Sequence, residues 1–166
     1  VGSEMCIRDR ESPWRWLVEH LEPLCYGRSS FDELRRLSLH REILGLLSYV
    51  QRQTLDREAP THIAIPSGRQ AAVSYPHEGA PFLAVKVQEV FGWSAAPLLC
   101  AGKQPLVLHL LNPAGRPLQV TQDLESFWDN TWIEVRKEMR SRYPKHRWPE
   151  EPRTASPSQR TTKPRR

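Results

Sequence analysis

Through the first third of the chain, apolar residues recur at helical spacing. Trp14, Leu17, Val18 and Leu21 fall three or four positions apart behind Ser12 and Pro13, an N-cap and a first-turn proline. They predict a short amphipathic helix that stops at Pro23. Ser30, with Glu33 three residues on, makes a capping box ahead of Phe31, Leu34 and Leu37, the start of a second helix. Ser38 heads a third, in which Ile43, Leu44, Leu47, Val50 and Leu55 keep a helical period until Ala59 and Pro60 end it.

The rhythm then shortens. Residues 61–65 and 71–75 are short β-branched or alternating runs, and Pro66-Ser67-Gly68-Arg69 between them has the chemistry of a tight turn, so a β-hairpin is expected. Residues 82–87 suit a strand that runs into a helical turn ending at Gly92. Residues 105–111 and 117–121 flank Asn112-Pro113-Ala114-Gly115, which has the residue preferences of a type I turn and predicts a second hairpin. Asp123 then caps a long helix. Its apolar positions Leu124, Phe127, Trp128, Trp132, Val135 and Met139 share one face up to Tyr143-Pro144, and the two tryptophans read as core.

The two ends carry little of this pattern. Residues 1–10 (VGSEMCIRDR) have no periodicity and no secretory signal, and they resemble translated sequencing-adapter read-through, so they are read as a non-native leader on a fragment of a longer frame. Residues 149–166 are rich in proline, lack aromatic residues and are expected to form a disordered basic tail.

Composition narrows the class. Hydrophobic residues make up 39% of the 166, enough for a core in one domain. No apolar run is long enough to cross a bilayer, so neither a spanning segment nor a membrane partner is expected. Cys6, Cys25 and Cys100 are odd in number and widely spaced, which fits neither a disulfide framework nor a zinc ribbon and suits a reducing, cytoplasmic setting. The net charge of +5 is unevenly placed: residues 136–166 hold eleven Lys and Arg against three Asp and Glu.

The chain carries no phosphate loop, dinucleotide fingerprint, nucleophile elbow or H-E-x-x-H, and its histidines never pair at metal-binding spacing. Ser67 lies in a turn and reads as a turn residue, so no catalytic, cofactor or metal residue is assigned. What survives is the basic end of the last helix. Arg136, Lys137 and Arg140 form a polar stripe opposite the tryptophans, continued by Arg142, Lys145 and Arg147 beside Tyr143, His146 and Trp148. Such a cluster can meet phosphates while an aromatic ring stacks on a base. Arg69 is a weaker candidate for the same role.

Four stretches carry a family likeness: LDREAPTHIAIPSGR (55–69), AVKVQEVFG (84–92), PLVLHLLNPAGRPLQVTQDLESFW (105–128) and VRKEMRSRYPKHRWPEEP (135–152). Together they resemble the C-terminal region of the HrpB family of bacterial DEAH-box ATP-dependent helicases, across essentially all of residues 11–152. The resemblance implies that two RecA-like lobes, with the ATP and Mg²⁺ site, belong to a preceding part of a longer polypeptide. None of those motifs is matched in this sequence. It also implies an accessory domain of oligonucleotide-binding (OB) type beside an RNA path.

The expected fold is therefore α+β, with N-terminal helices, a small antiparallel sheet or OB-like barrel, a long C-terminal amphipathic helix and a disordered basic tail. The expected divisions are a leader at 1–10, a helical segment at 11–60, a β-rich module closed by the long helix at 61–148, and the tail at 149–166. The expected role is a non-catalytic accessory domain of an RNA helicase. It would help to position single-stranded RNA and would partner the rest of the helicase polypeptide. The alternative is a protein-docking or structural module without RNA binding of its own.

Overall fold

The computed structural model describes residues 18, 19 and 21–158; the leader at 1–10, the start of the first predicted helix and residues 159–166 lie outside the described residues. The chain divides after Arg52 into two compact units.

The first unit is helical. Helix α1 spans Leu21–Cys25 and so continues through Pro23, where a stop was expected. Pro23 falls in the first turn, where a missing N–H removes no intrahelical bond. Helix α2, Phe31–Arg35, starts as expected: the Ser30 hydroxyl accepts from Glu33 N at 3.3 Å, and the Glu33 carboxylate accepts from Ser29 N at 2.9 Å. The single third helix is in fact two, α3 (Leu39–Leu46) and α4 (Tyr49–Glu58). Ser48 and Gln51 form a second capping box, with Ser48 N donating to Gln51 Oε1 at 2.8 Å and Gln51 N donating to Ser48 Oγ at 3.3 Å. That pair starts a new helix in the middle of the apolar period. Helices α2, α3 and α4 bury none of their side chains.

The second unit is built on a five-stranded sheet of order β1-β2-β3-β6-β7: β1 (His62–Ala64), β2 (Gln70–Ser74), β3 (Phe82–Lys86), β6 (Val107–Leu111) and β7 (Pro117–Thr121). A separate two-stranded ribbon pairs β4 (Leu98–Leu99) with β5 (Gln104–Pro105). Both predicted hairpins form. In the first, Gly68 N donates to Ile65 O at 2.8 Å with Gly68 at φ +82°. In the second, Gly115 N donates to Asn112 O at 2.9 Å, while the buried Asn112 side chain accepts from Ala114 N and Arg116 N. The strand expected at 82–87 is β3, and it runs into a 3₁₀ turn at Val87–Glu89.

The sheet is mixed, however, and it does not close into a barrel. Strands β3 and β6 are parallel, with Phe82 opposite Val107 and Lys86 opposite Leu111. The chain between them is long enough for the crossover that a parallel pair needs. Alternation fixes which face of a strand is buried but not its direction, so the pattern alone could not distinguish this arrangement from an antiparallel one. Strands β1 and β7 end the sheet at opposite edges without pairing to each other.

One face of β2, β3 and β6 is buried through Ala71, Val73, Leu83, Val85, Leu108 and Leu110. These side chains share a core with Phe91 and the aromatic residues of the last helix. The Asp123 cap is present, with Ser126 N donating to Oδ1 at 2.8 Å, but the helix is not one continuous α-helix. A short turn α5 (Leu124–Ser126) leads into a π turn, Phe127–Thr131, and then α6 (Trp132–Arg142). In the π turn Trp132 N donates to Phe127 O, and the Asn130 amide donates to Ser126 O at 3.1 Å. Opening the helix there lets Phe127, Trp128 and Trp132 all enter the core, at 3%, 4% and 1% exposure.

The largest departure is at the C-terminal end. Residues 149–158, expected to be a disordered tail, lie against the core. Pro149 O accepts from Trp132 Nε1 at 3.1 Å, Pro152 O accepts from Gly92 N at 2.9 Å, and Ser158 N donates to Gln88 O at 3.0 Å. Arg153 adds an ion pair to Asp129 at 2.7 Å, and Pro152 is buried. The segment has little apolar surface of its own, but acceptors and donors already fixed by the core hold its backbone. The part of that expectation at 159–166 lies outside the described residues.

Trp128 loses both its aromatic contacts and its hydrogen bond to Trp93 O (2.9 Å) on truncation. Trp128→Ala is therefore expected to cost about 3–5 kcal/mol, read as a lowered urea midpoint.

Candidate nucleic-acid interface

The cations of the last helix sort themselves by what lies beneath them. In α6, Trp132 and Met139 point into the core and Val135 is partly buried, so Lys137 and Arg140 are left on the exposed side. Arg142 is also exposed and pairs with Glu138 one turn earlier at 3.1 Å. Tyr143 N donates to Met139 O at 2.7 Å and closes the helix, and His146 N donates to Tyr143 O at 3.1 Å to form a turn. Lys145 and Arg147 are exposed on that turn. Among the described residues, no ion pair involves Lys137, Arg140, Lys145 or Arg147.

Arg136 and Arg69 are placed differently. Arg136 does not lie on the open polar stripe: its Nε donates to Trp148 O at 3.0 Å and its Nη2 to Glu150 Oε1 at 2.6 Å, with a quarter of the side chain exposed. It ties the helix to the segment that returns over it. Arg69 makes a two-pronged bond to Glu89, Nε to Oε1 at 2.8 Å and Nη2 to Oε2 at 2.9 Å. The hydrogen bond to Glu89 raises the Arg69 pKa, against a smaller opposing effect of burial. Lys86 N also donates to the buried Glu89 carboxylate, at 3.1 Å, so this pair fastens the first hairpin to the turn after β3.

Trp148, expected beside the cations as a possible stacking ring, is instead buried at 8% exposure, with Nε1 donating to Tyr143 O at 2.9 Å. His146 is partly buried, and burial first, then the positive charge of Lys86, pull its pKa below the usual 6.5. That interaction brings in a cation not predicted for the site. Lys86 comes from β3, far away in sequence, and the Gln88 amide donating to Arg147 O at 3.4 Å links the same stretch to the turn. The only sequence signal for Lys86 was its place at the end of an alternating strand.

The described residues bring together no group of three or more His, Cys, Asp or Glu side chains able to hold a metal ion. With no phosphate loop in the sequence either, no residue here is assigned to ATP or Mg²⁺. Among the described residues no helix is long and apolar enough to cross a membrane.

The exposed cations of α6 and the turn after it thus stand beside a single paired carboxylate, Glu138, on an α+β unit. The chain belongs to the ATP-dependent helicase C-terminal family, whose model matches residues 20–152. It is 43% identical over 148 residues to the ATP-dependent RNA helicase HrpB of Escherichia coli (strain K12), covering 89% of this chain and 18% of that protein. A crystal structure of the E. coli DExH-box NTPase HrpB matches with a TM-score of 0.80 at 43% identity, over 87% of this chain and 18% of that one. A second, of the E. coli DEAH/RHA helicase HrpB, matches with a TM-score of 0.61 over 77% of this chain and 16% of that one, also at 43% identity. This chain thus spans less than a fifth of the length of the relatives it matches.

Two measurements separate anchoring cations from exposed ones. Arg69→Met strands a buried carboxylate and is expected to cost roughly 2–3 kcal/mol, less than the ~3–5 kcal/mol of a fully buried pair because Arg69 is 39% exposed. Arg140→Ala is expected to stay within about 0.5 kcal/mol of the parent in the same urea titration. His146 gives a pH dependence. Because its folded-state pKa lies below 6.5, its contribution to stability is present above that pH and is lost as pH falls through the folded-state value. The urea midpoint should decline below pH 6.5, and His146→Gln should remove part of the decline.

Proposed function

We propose that this chain is the C-terminal accessory domain of a cytoplasmic ATP-dependent RNA helicase. In this reading it is non-catalytic alone and helps to position single-stranded RNA for a motor carried elsewhere in the polypeptide. ATP and Mg²⁺ act at that motor, and the rest of the helicase chain is the domain's constant partner. The observation that carries the reading is the run of exposed cations Lys137, Arg140, Arg142, Lys145 and Arg147 on one short stretch. Arg142 is held only by an exposed i,i+4 pair, worth a few tenths of a kcal/mol, and exchanges it readily for a phosphate. Arg136 and Arg69, already bonded within the fold, serve this site by holding its frame.

A second reading, docking on the remainder of the helicase without RNA, is favoured by the apolar residues displayed on the helical unit. Tyr26, Phe31, Tyr49 and Val50 are each more than 60% exposed.

Salt separates the two. Five neutralised phosphates give a slope of log K against log salt of roughly −3.5 for a single strand. Fluorescence anisotropy of the chain with a labelled single-stranded RNA at several salt concentrations should show this slope. Lys137→Glu, Arg140→Glu and Arg147→Glu should each make it shallower by about 0.7. Absence of saturable binding at low salt would overturn the RNA reading and leave the docking one.

A further inference from the structure

The sheet has a second face. On β2, β3 and β6 the residues between the buried ones, from Ala72 to Leu111, point away from the core, and none of them is buried. At the centre of that face Phe82 of β3 and His109 of β6 lie in parallel, with ring centroids 4.3 Å apart and planes 11° apart. Ala84 and Val120 flank His109 in register on the adjoining strands, Val120 being 55% exposed, and the half-buried Val107 lies opposite Phe82. Ser74 pairs with Phe82 on the other side.

The charge on this face is one-sided. The five strands contain no Asp or Glu at all, while Lys86 shares the face with Phe82 and Ala84. Just past Lys86, the Gln88 amide donates to Arg147 O at 3.4 Å, so this end of the face adjoins the turn bearing Lys145 and Arg147. A flat aromatic stack, with Ser74 and Ala84 beside it and a cation at one end, complements a single strand of nucleic acid, whose bases offer ring faces and whose backbone is anionic. Of the aliphatic side chains on this face, Val107 and Leu111 are half-buried and Val120 lies on the edge strand, which leaves no cluster of large exposed anchors such as a protein partner would favour.

We infer that the open face of the sheet is a base-stacking platform for single-stranded RNA, in which a nucleobase extends the Phe82–His109 stack while its backbone runs towards Lys86, Lys145 and Arg147. The inference rests on the reading that the chain handles RNA and gives that reading a place for the bases, which the exposed cations alone do not.

The test is anisotropy of the full 166-residue chain with a labelled oligouridylate, at several salt concentrations. The double variant Phe82→Ala, His109→Ala removes the stack but no cation, so affinity should fall roughly tenfold or more with the salt slope unchanged. Ala84→Glu keeps both rings and the core, puts a carboxylate at an exposed position on the same face, and should also weaken binding. It decides the matter if the double variant fails to fold by circular dichroism. Wild-type binding matched by both folded variants would overturn the platform while leaving the RNA reading intact, and would point to this face as one covered by protein. No binding by the wild type would overturn both.

Discussion

Trp132 occupies the position on which the second unit depends. Its ring meets Phe91 at 5.5 Å, Trp128 at 5.4 Å, Trp148 at 6.1 Å and Phe127 at 6.3 Å, mostly edge to face. Such pairs add about 0.5–1.5 kcal/mol each beyond the area they bury. The polar edges matter as much as the faces. Each of Trp128, Trp132 and Trp148 donates its indole N–H to a main-chain carbonyl, of Trp93, Pro149 and Tyr143 respectively. An indole buried without that bond would cost about 1–3 kcal/mol, so the loops that supply the carbonyls are held where the rings need them. The core thereby fixes both the loop after β3 that carries Trp93 and the stretch from Tyr143 to Pro149.

The cationic surface hangs from this frame. Arg136 reaches the carbonyl of Trp148 and the carboxylate of Glu150, so one charged side chain joins the helix to the returning segment. Lys137 and Arg140, which follow it along the helix, face outwards because Trp132 and Met139 have taken the inward positions. A division of labour results among residues of the same type. Arg136, above the aromatic cluster, is spent on a backbone and a carboxylate acceptor, whereas beyond it Arg140 and Arg147 are exposed and Arg142 has only its exposed pair with Glu138.

Local chemistry was legible in the sequence, and long-range pairing was not. The turns at Asn112–Gly115 and before Gly68 follow from the residues within them, as do the Ser30 and Asp123 caps, and all four are present. The Ser48–Gln51 box was equally local and was hidden by an apolar period that ran past it. The parallel β3–β6 pair left no signal, since strand direction depends on how the intervening chain crosses over. The order of residues 149–158 depends on Gly92, Gln88, Asp129 and Trp132, none of them near in sequence, so composition pointed the other way. The candidate site divides in the same manner. Its exposed cations were readable from the helix period, whereas the partners of Arg136 and Arg69 lie 14 and 20 residues away and turned those two into structural ties.

The π turn at Phe127–Thr131 sets the phase of everything that follows it. A π turn is equivalent to one residue inserted into an α-helix, accommodated here by the Asn130 amide on the carbonyl of Ser126. Taking that residue out would restore a regular helix but rotate α6 by about 100° relative to α5. Met139 would swing out of the core and the charged positions beside it would swing in. The extra residue thus works as a phase shifter, letting one stretch of chain bury a dense aromatic face at its start and present a cationic one at its end.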